Sequence, residues 1–131
     1  MDKKYFAVKM LMGAIQYAAA QLVELDESFK KKLASIDSVT QWKIEPDGPN
    51  SYTIVKNQKI EYKMDAIHDN PTYTLSCDLD TALELFQGKL DTNEAISSSK
   101  IKIDGDLEKA QKETFILETL GEYLSDISGG G

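Results

Sequence analysis

Apolar residues near the start of the chain fall at Leu11, Ile15, Ala18, Leu22, Leu25 and Phe29. Steps of three and four place them on one face of a helix. Leu33 and Ile36 prolong that face after a small phase shift. Lys30, Lys31 and Lys32 then sit near its C-terminal end, where the helix dipole favours cations. One unbroken helix over 4–36 would be roughly 50 Å long at 1.5 Å per residue, more than the diameter of so small a domain. The reading leaves two outcomes: a break near Asp26-Glu27-Ser28, or a first half that projects and packs on something else.

The period then changes to two. Thr40, Trp42 and Ile44 alternate with polar neighbours, Tyr52–Val55 reads as a second strand, and Ile60, Tyr62 and Met64 form a third. A fourth carries Tyr73, Leu75 and Cys77. Pro46-Asp47-Gly48-Pro49-Asn50 is a turn by composition, and Asn57-Gln58 a tight turn in which Gln58 is a poorer choice than glycine. His68-Asp69-Asn70-Pro71 is a loop. Four strands with short links predict an antiparallel meander, one face buried.

After Cys77 the helical period returns. Asp78 or Asp80 caps a helix whose apolar face is Leu79, Ala82, Leu83 and Phe86, and Gly88 ends it. Asp91-Thr92-Asn93-Glu94 opens a short helix in the manner of a capping box. Ile101 and Ile103 alternate with Lys100, Lys102 and Asp104 as a fifth strand. Asp106 caps a last helix with two apolar stripes: Leu107, Ala110, Thr114, Leu117, Gly121 and Leu124, and Ile116, Leu120, Tyr123 and Ile127. A helix lying on a sheet needs one stripe, so the second requires another partner. Residues 128–131 read as a flexible tail.

Composition narrows the function. The 131 residues suit a single domain. A net charge of −7 disfavours nucleic acid and opposes strong docking to anionic membranes, leaving at most transient membrane contact. The one cysteine excludes an internal disulfide and fits a reducing, cytoplasmic setting. Lys9, Gln16, Gln21 and Glu24 interrupt the first apolar stretch, which predicts a retained helix rather than a signal peptide or a span. His68 stands alone, so neither a triad nor a metal site is expected; no cofactor is expected either. Asp104 and Asp106 are explained by the turn and the cap, and Cys77 as a buried thiol.

The order of elements is specific. Asn70-Pro71-Thr72-Tyr73-Thr74-Leu75 leads to Asp80–Asp91 (DTALELFQGKLD), then Glu94-Ala95-Ile96, then Lys100-Ile101-Lys102-Ile103-Asp104-Gly105-Asp106. This succession resembles the sterol carrier protein 2 family over roughly Val39 to Leu124, more loosely upstream through Trp42-Lys43-Ile44, Asp47-Gly48 and Asn57-Gln58-Lys59. Two positions depart: Ser99 and Gln58 stand where the family usually has glycine.

The resemblance implies an α+β domain: a five-stranded, mostly antiparallel sheet covered on one face by helices, with an apolar tunnel between, here preceded by a long N-terminal helical segment over residues 1–36. It implies non-catalytic binding or transfer of a sterol, fatty acid, fatty acyl-CoA or similar lipid. Leu83, Phe86, Leu90 and Ile96 are expected along one side, Ile101 and Ile103 on the floor, and Ile116, Leu117 and Leu120 in the lid. Entry is expected by opening of the C-terminal helix or the region near Gly88. Two other readings stay open: an interaction module that binds a protein or forms a homodimer through the groove or the N-terminal helix, and an accessory domain that presents hydrophobic substrates to a separate enzyme.

Overall fold

The computed structural model describes residues 2–128, with side chains through Tyr123. The stripe ends Leu124 and Ile127 and the glycine tail 129–131 lie outside the described side chains or residues.

Helix α1 (Lys3–Leu25) is capped by Asp2, and α2 (Glu27–Lys32) by Asp26. The break falls where the sequence allowed it. Asp26 is extended; its N–H closes α1 on the Leu22 carbonyl at 2.9 Å, and its carboxylate accepts from the Phe29 N–H at 3.1 Å. The buried face differs from the expected one. Val8, Met12, Gln16, Ala19, Leu22 and Val23 face inward, Leu11 and Ile15 are half-buried, and Ala18 and Leu25 are exposed. The middle of α1 is apolar nearly all round, so periodicity alone does not select a face. That same property makes α1 long and apolar enough to cross a membrane by length and composition, although 33 % of the stretch is buried within the protein.

The sheet comprises β1 (Ser38–Glu45), β2 (Asn50–Lys56), β3 (Lys59–Met64), β4 (Tyr73–Asp78) and β5 (Lys102–Gly105), in the order β3-β2-β1-β4-β5. The meander ends after three strands. β4 does not pair with β3; it returns to the free edge of β1 and runs parallel to it, with Trp42 opposite Leu75. The other three pairings are antiparallel. The connection after Met64 therefore recrosses the sheet, and Gln41 on β1 holds it there. The Gln41 side-chain amide donates to Trp42, Ser51 and Ala66 carbonyls at 3.0–3.1 Å and accepts from the His68 N–H at 2.8 Å. One buried side chain thus satisfies the backbone of a loop that has no strand partner. His68 completes this loop: its Nδ1 accepts from the Asn70 N–H, and its ring packs edge-on to Tyr52 at 5.1 Å.

Asp78 caps α3 (Leu79–Phe86), accepting from the Thr81 N–H at 2.8 Å. Asp91 caps α4 (Thr92–Ser97) and Asp106 caps α5 (Leu107–Lys112) in the same way. The last helix of the sequence reading is two. α5 stops at Glu113, and α6 (Phe115–Ser128) begins beyond Thr114. At the joint the Thr114 hydroxyl donates to the Gln111 carbonyl, and the Glu113 side chain turns inward. Gly105, at φ 116°, ends β5 where a Cβ would lie 2.6 Å from the Thr72 carbonyl oxygen, so this turn requires glycine.

The helices cover one face of the sheet and bury two apolar clusters. One lies under α1 and α3, centred on Trp42, whose ring meets Phe86 edge-to-face at 5.3 Å. The other joins Phe29, Leu33, Val55, Ile60 and Leu120.

A candidate ligand cavity between sheet and helices

Between these clusters lies a cavity of about 80 Å³. Its floor is the inner face of the sheet: Thr40 and Trp42 from β1, Thr53 and Val55 from β2, Tyr73 and Leu75 from β4. These residues share a face because Thr40 pairs with both Thr53 and Tyr73, and Trp42 with Leu75. Met12, Ile15, Gln16 and Ala19 of α1 form one wall, and Phe86 of α3 another. Ala110, Glu113, Thr114, Ile116 and Leu117 close the cavity from α5 and α6.

Of the residues expected here, Phe86, Ile96, Ile116 and Leu117 line this space. Leu83 and Leu90 are half-buried against the Trp42 cluster beside it, and Leu120 is buried in the Phe29 cluster. Ile101 and Ile103 do not form the floor. They line a separate, more open groove of about 420 Å³ along the β5 edge, together with Ile96 and Leu107. The reason is topological: β5 is an edge strand, and the floor belongs to the central strands. Ile96 borders both spaces and so separates them.

Two polar clusters interrupt the apolar lining, and the sequence reading missed both. In the first, the Gln16 amide nitrogen donates to Ser51 Oγ at 2.8 Å and to the Met12 carbonyl at 3.2 Å, while its oxygen accepts from the Thr53 hydroxyl at 2.9 Å. In the second, Glu113 Oε1 accepts from the Tyr73 hydroxyl at 2.7 Å and the Ser38 hydroxyl at 2.8 Å. Burial and the neighbouring Glu113 charge push the Tyr73 phenol far above its usual range, so it stays a donor. A signal for both was present. Gln16 follows Met12 by four and precedes Ala19 by three; Glu113 follows Ala110 by three and precedes Leu117 by four. Each puts a polar residue on an apolar line.

Cys77 is buried, and burial, with Asp78 and Glu45 nearby, pushes its thiol up to about 12. It therefore remains a thiol at neutral pH. Among the described residues no group of three His, Cys, Asp or Glu side chains is placed to hold a metal.

Comparison with known proteins agrees with this architecture. Sterol carrier protein 2 superposes with a TM-score of 0.66 at 14% identity, covering 80% of this chain and 92% of that one. The palmitated SCP2L2 of Aedes aegypti gives 0.52 at 20% identity over 70% of this chain and 88% of its own. The stereoselective inverting sec-alkylsulfatase Pisa1 from Pseudomonas sp. gives 0.56 at 20% identity over 66% of this chain, which spans only 14% of the sulfatase. At these identities the likeness establishes the fold. No curated protein sequence matches. The model of the SCP-2 sterol transfer family matches residues 19–118, most of the chain, and the chain belongs to that family.

Proposed function

We propose that this protein binds one apolar, lipid-like molecule between the sheet and the α5–α6 lid and carries it without chemical change. The observation that supports this most is the apolar cavity between the inner face of the sheet and the helices, closed on one side by half-buried Ile116 and Leu117. Its present volume, about 80 Å³, is well below the roughly 300–1,000 Å³ of ligand pockets, so an occupant requires displacement of a wall. The lid is the wall to move, since Phe115, Ile116 and Leu117 on it are only half-buried. Each methylene taken from water would contribute about 0.8 kcal/mol towards binding. The single buried cysteine suits the cytoplasmic setting expected from the sequence.

The test is direct. Organic extracts of the purified protein are examined by mass spectrometry, and an uncharged fluorescent alkyl probe is titrated into the delipidated chain. We expect a stoichiometric lipid or saturable probe binding, abolished by Leu117→Asp. Absence of both refutes the reading.

A second reading has its own observation. Phe6, Met10 and Tyr17 are 49, 58 and 57 % exposed along the outer side of α1, which favours a second copy or another protein there. Because Val8 and Met12 on the other side belong to the core, removing α1 would unfold the domain. Met10→Glu with Tyr17→Glu is the suitable test: a self-associating chain would fall to monomer mass in solution, and an unchanged mass would remove the homodimer reading.

A further inference from the structure

The two polar clusters of the cavity differ in whether they are complete. Gln16 has both ends engaged by Ser51, Thr53 and the Met12 backbone. Glu113 does not. Both of its hydrogen bonds fall on Oε1, and among the described residues Oε2 accepts none. Nor, among the described residues, does any cation pair with it. The nearest lysines in sequence are directed elsewhere: Lys109 donates to the Asp37 carbonyl at 3.3 Å, and Lys112 pairs with Glu108 at 3.1 Å. Glu113 is nonetheless 8 % exposed, between Tyr73 at 4 % and Ser38 at 2 %. Among the described residues no buried side-chain oxygen is left without a partner, so Oε2, which accepts none, keeps accessible surface, and Glu113 lines the cavity, where a ligand can reach it. The Tyr73 and Ser38 hydroxyls are themselves already spent on Oε1.

We infer that Glu113 selects the polar end of the ligand: the cavity takes a long-chain amphiphile whose head group donates a hydrogen bond, of which a neutral alcohol is the simplest, and discriminates against long-chain carboxylates. This rests on the apolar-ligand reading above. An alcohol at this end of the cavity supplies the O–H that Oε2 lacks. A carboxylate head there would set two like charges side by side, with no lysine or arginine among the described residues between them. Glu113 also sits at the joint between α5 and α6, so a head group bound to it meets the lid at the point where the lid is tied to the sheet.

The experiment compares matched chains. Hexadecanol and palmitate compete separately for the uncharged fluorescent probe on the delipidated full chain at pH 7.5. Hexadecanol should displace the probe at a concentration lower by about tenfold or more, the effect of roughly one charge-sensitive hydrogen bond. Glu113→Gln keeps an acceptor for Tyr73 and Ser38 but removes the charge, and it should bring palmitate close to hexadecanol. Hexadecylamine gives a check that needs no variant: on the wild-type chain it should bind at least as well as the alcohol. Equal or tighter binding of palmitate by the wild-type chain overturns this inference and leaves the apolar-ligand reading standing, as does an alcohol preference that survives in a folded Glu113→Gln. If the probe does not bind and no lipid is extracted either, both fall together.

Discussion

The two sides of the cavity are built differently. On the side formed by the sheet, α1 and α3, Trp42, Phe86 and Met12 are at most 7 % exposed and interlock with Leu75, Ala82 and Leu85. On the α5–α6 side, Phe115, Ile116 and Leu117 are half-buried, and the main inward anchors are Leu120 and the Glu113 cluster. A close-packed wall loses dispersion contacts wherever it parts, whereas a half-buried one gives up less. Room for a ligand therefore comes from the α5–α6 side, and the sheet with α1 and α3 sets the shape it must fit.

Substitution can break this contrast. Trp42→Ala should cost about 3–5 kcal/mol in denaturant unfolding, while Leu117→Ala should cost about 1 kcal/mol and act mainly on ligand binding. Equal losses would mean that the lid is part of the core. Next in size is Glu113→Ala, which strands the Tyr73 and Ser38 hydroxyls and should cost about 1–3 kcal/mol, against a smaller loss for Glu113→Gln. Thermal unfolding of the pair separates them. Asp78→Ala removes the cap of α3 on the wall side and should cost about 1 kcal/mol. Hydrogen bonds from the Thr81 N–H and hydroxyl hold the Asp78 carboxyl below its usual range. Its folded value thus lies below the unfolded one. The stabilisation is fully present above about pH 4 and is lost as pH falls through the folded value, so the variant should show a flatter acid limb of stability.

The smallest expected effect is a gain. Ser99 has φ 63°, a left-handed conformation that costs a non-glycine residue about 1–2 kcal/mol. Glycine gives part of that back through its own unfolded-state freedom. Ser99→Gly should raise stability by about 0.5–1 kcal/mol in the same unfolding assay.

That residue shows what the sequence made legible. Ser99 and Gln58 were identified as departures from glycine, and both hold positive φ, 63° and 58°. Gln58 is partly compensated by donating to the Lys30 carbonyl at 3.1 Å. Caps, turns and strand positions were legible because each follows from local chemistry: Asp78, Asp91 and Asp106 act where their side chains reach the next turn. The return of β4 to β1 was not, because it depends on Gln41 holding a loop across the sheet. The face of α1 was misread since its middle is apolar on every side. The split of the last helix at Glu113 hinges on a hydrogen bond to Ser38, 75 residues away in the chain. In the cavity, apolar positions were found by period. Of the polar residues facing them, Gln16 enters the sequence reading only as an interruption of the apolar stretch and Glu113 not at all, although their spacing places both inside.

The difference between a fixed wall and a movable lid is tested most directly by amide hydrogen exchange on the delipidated chain, with and without hexadecanol. The account predicts faster exchange in α5 and α6 than in β1, β2 and β4 before ligand is added, and protection gained chiefly in α5 and α6 afterwards. Unchanged exchange in the lid, or protection appearing on the outer side of α1 instead, would contradict it.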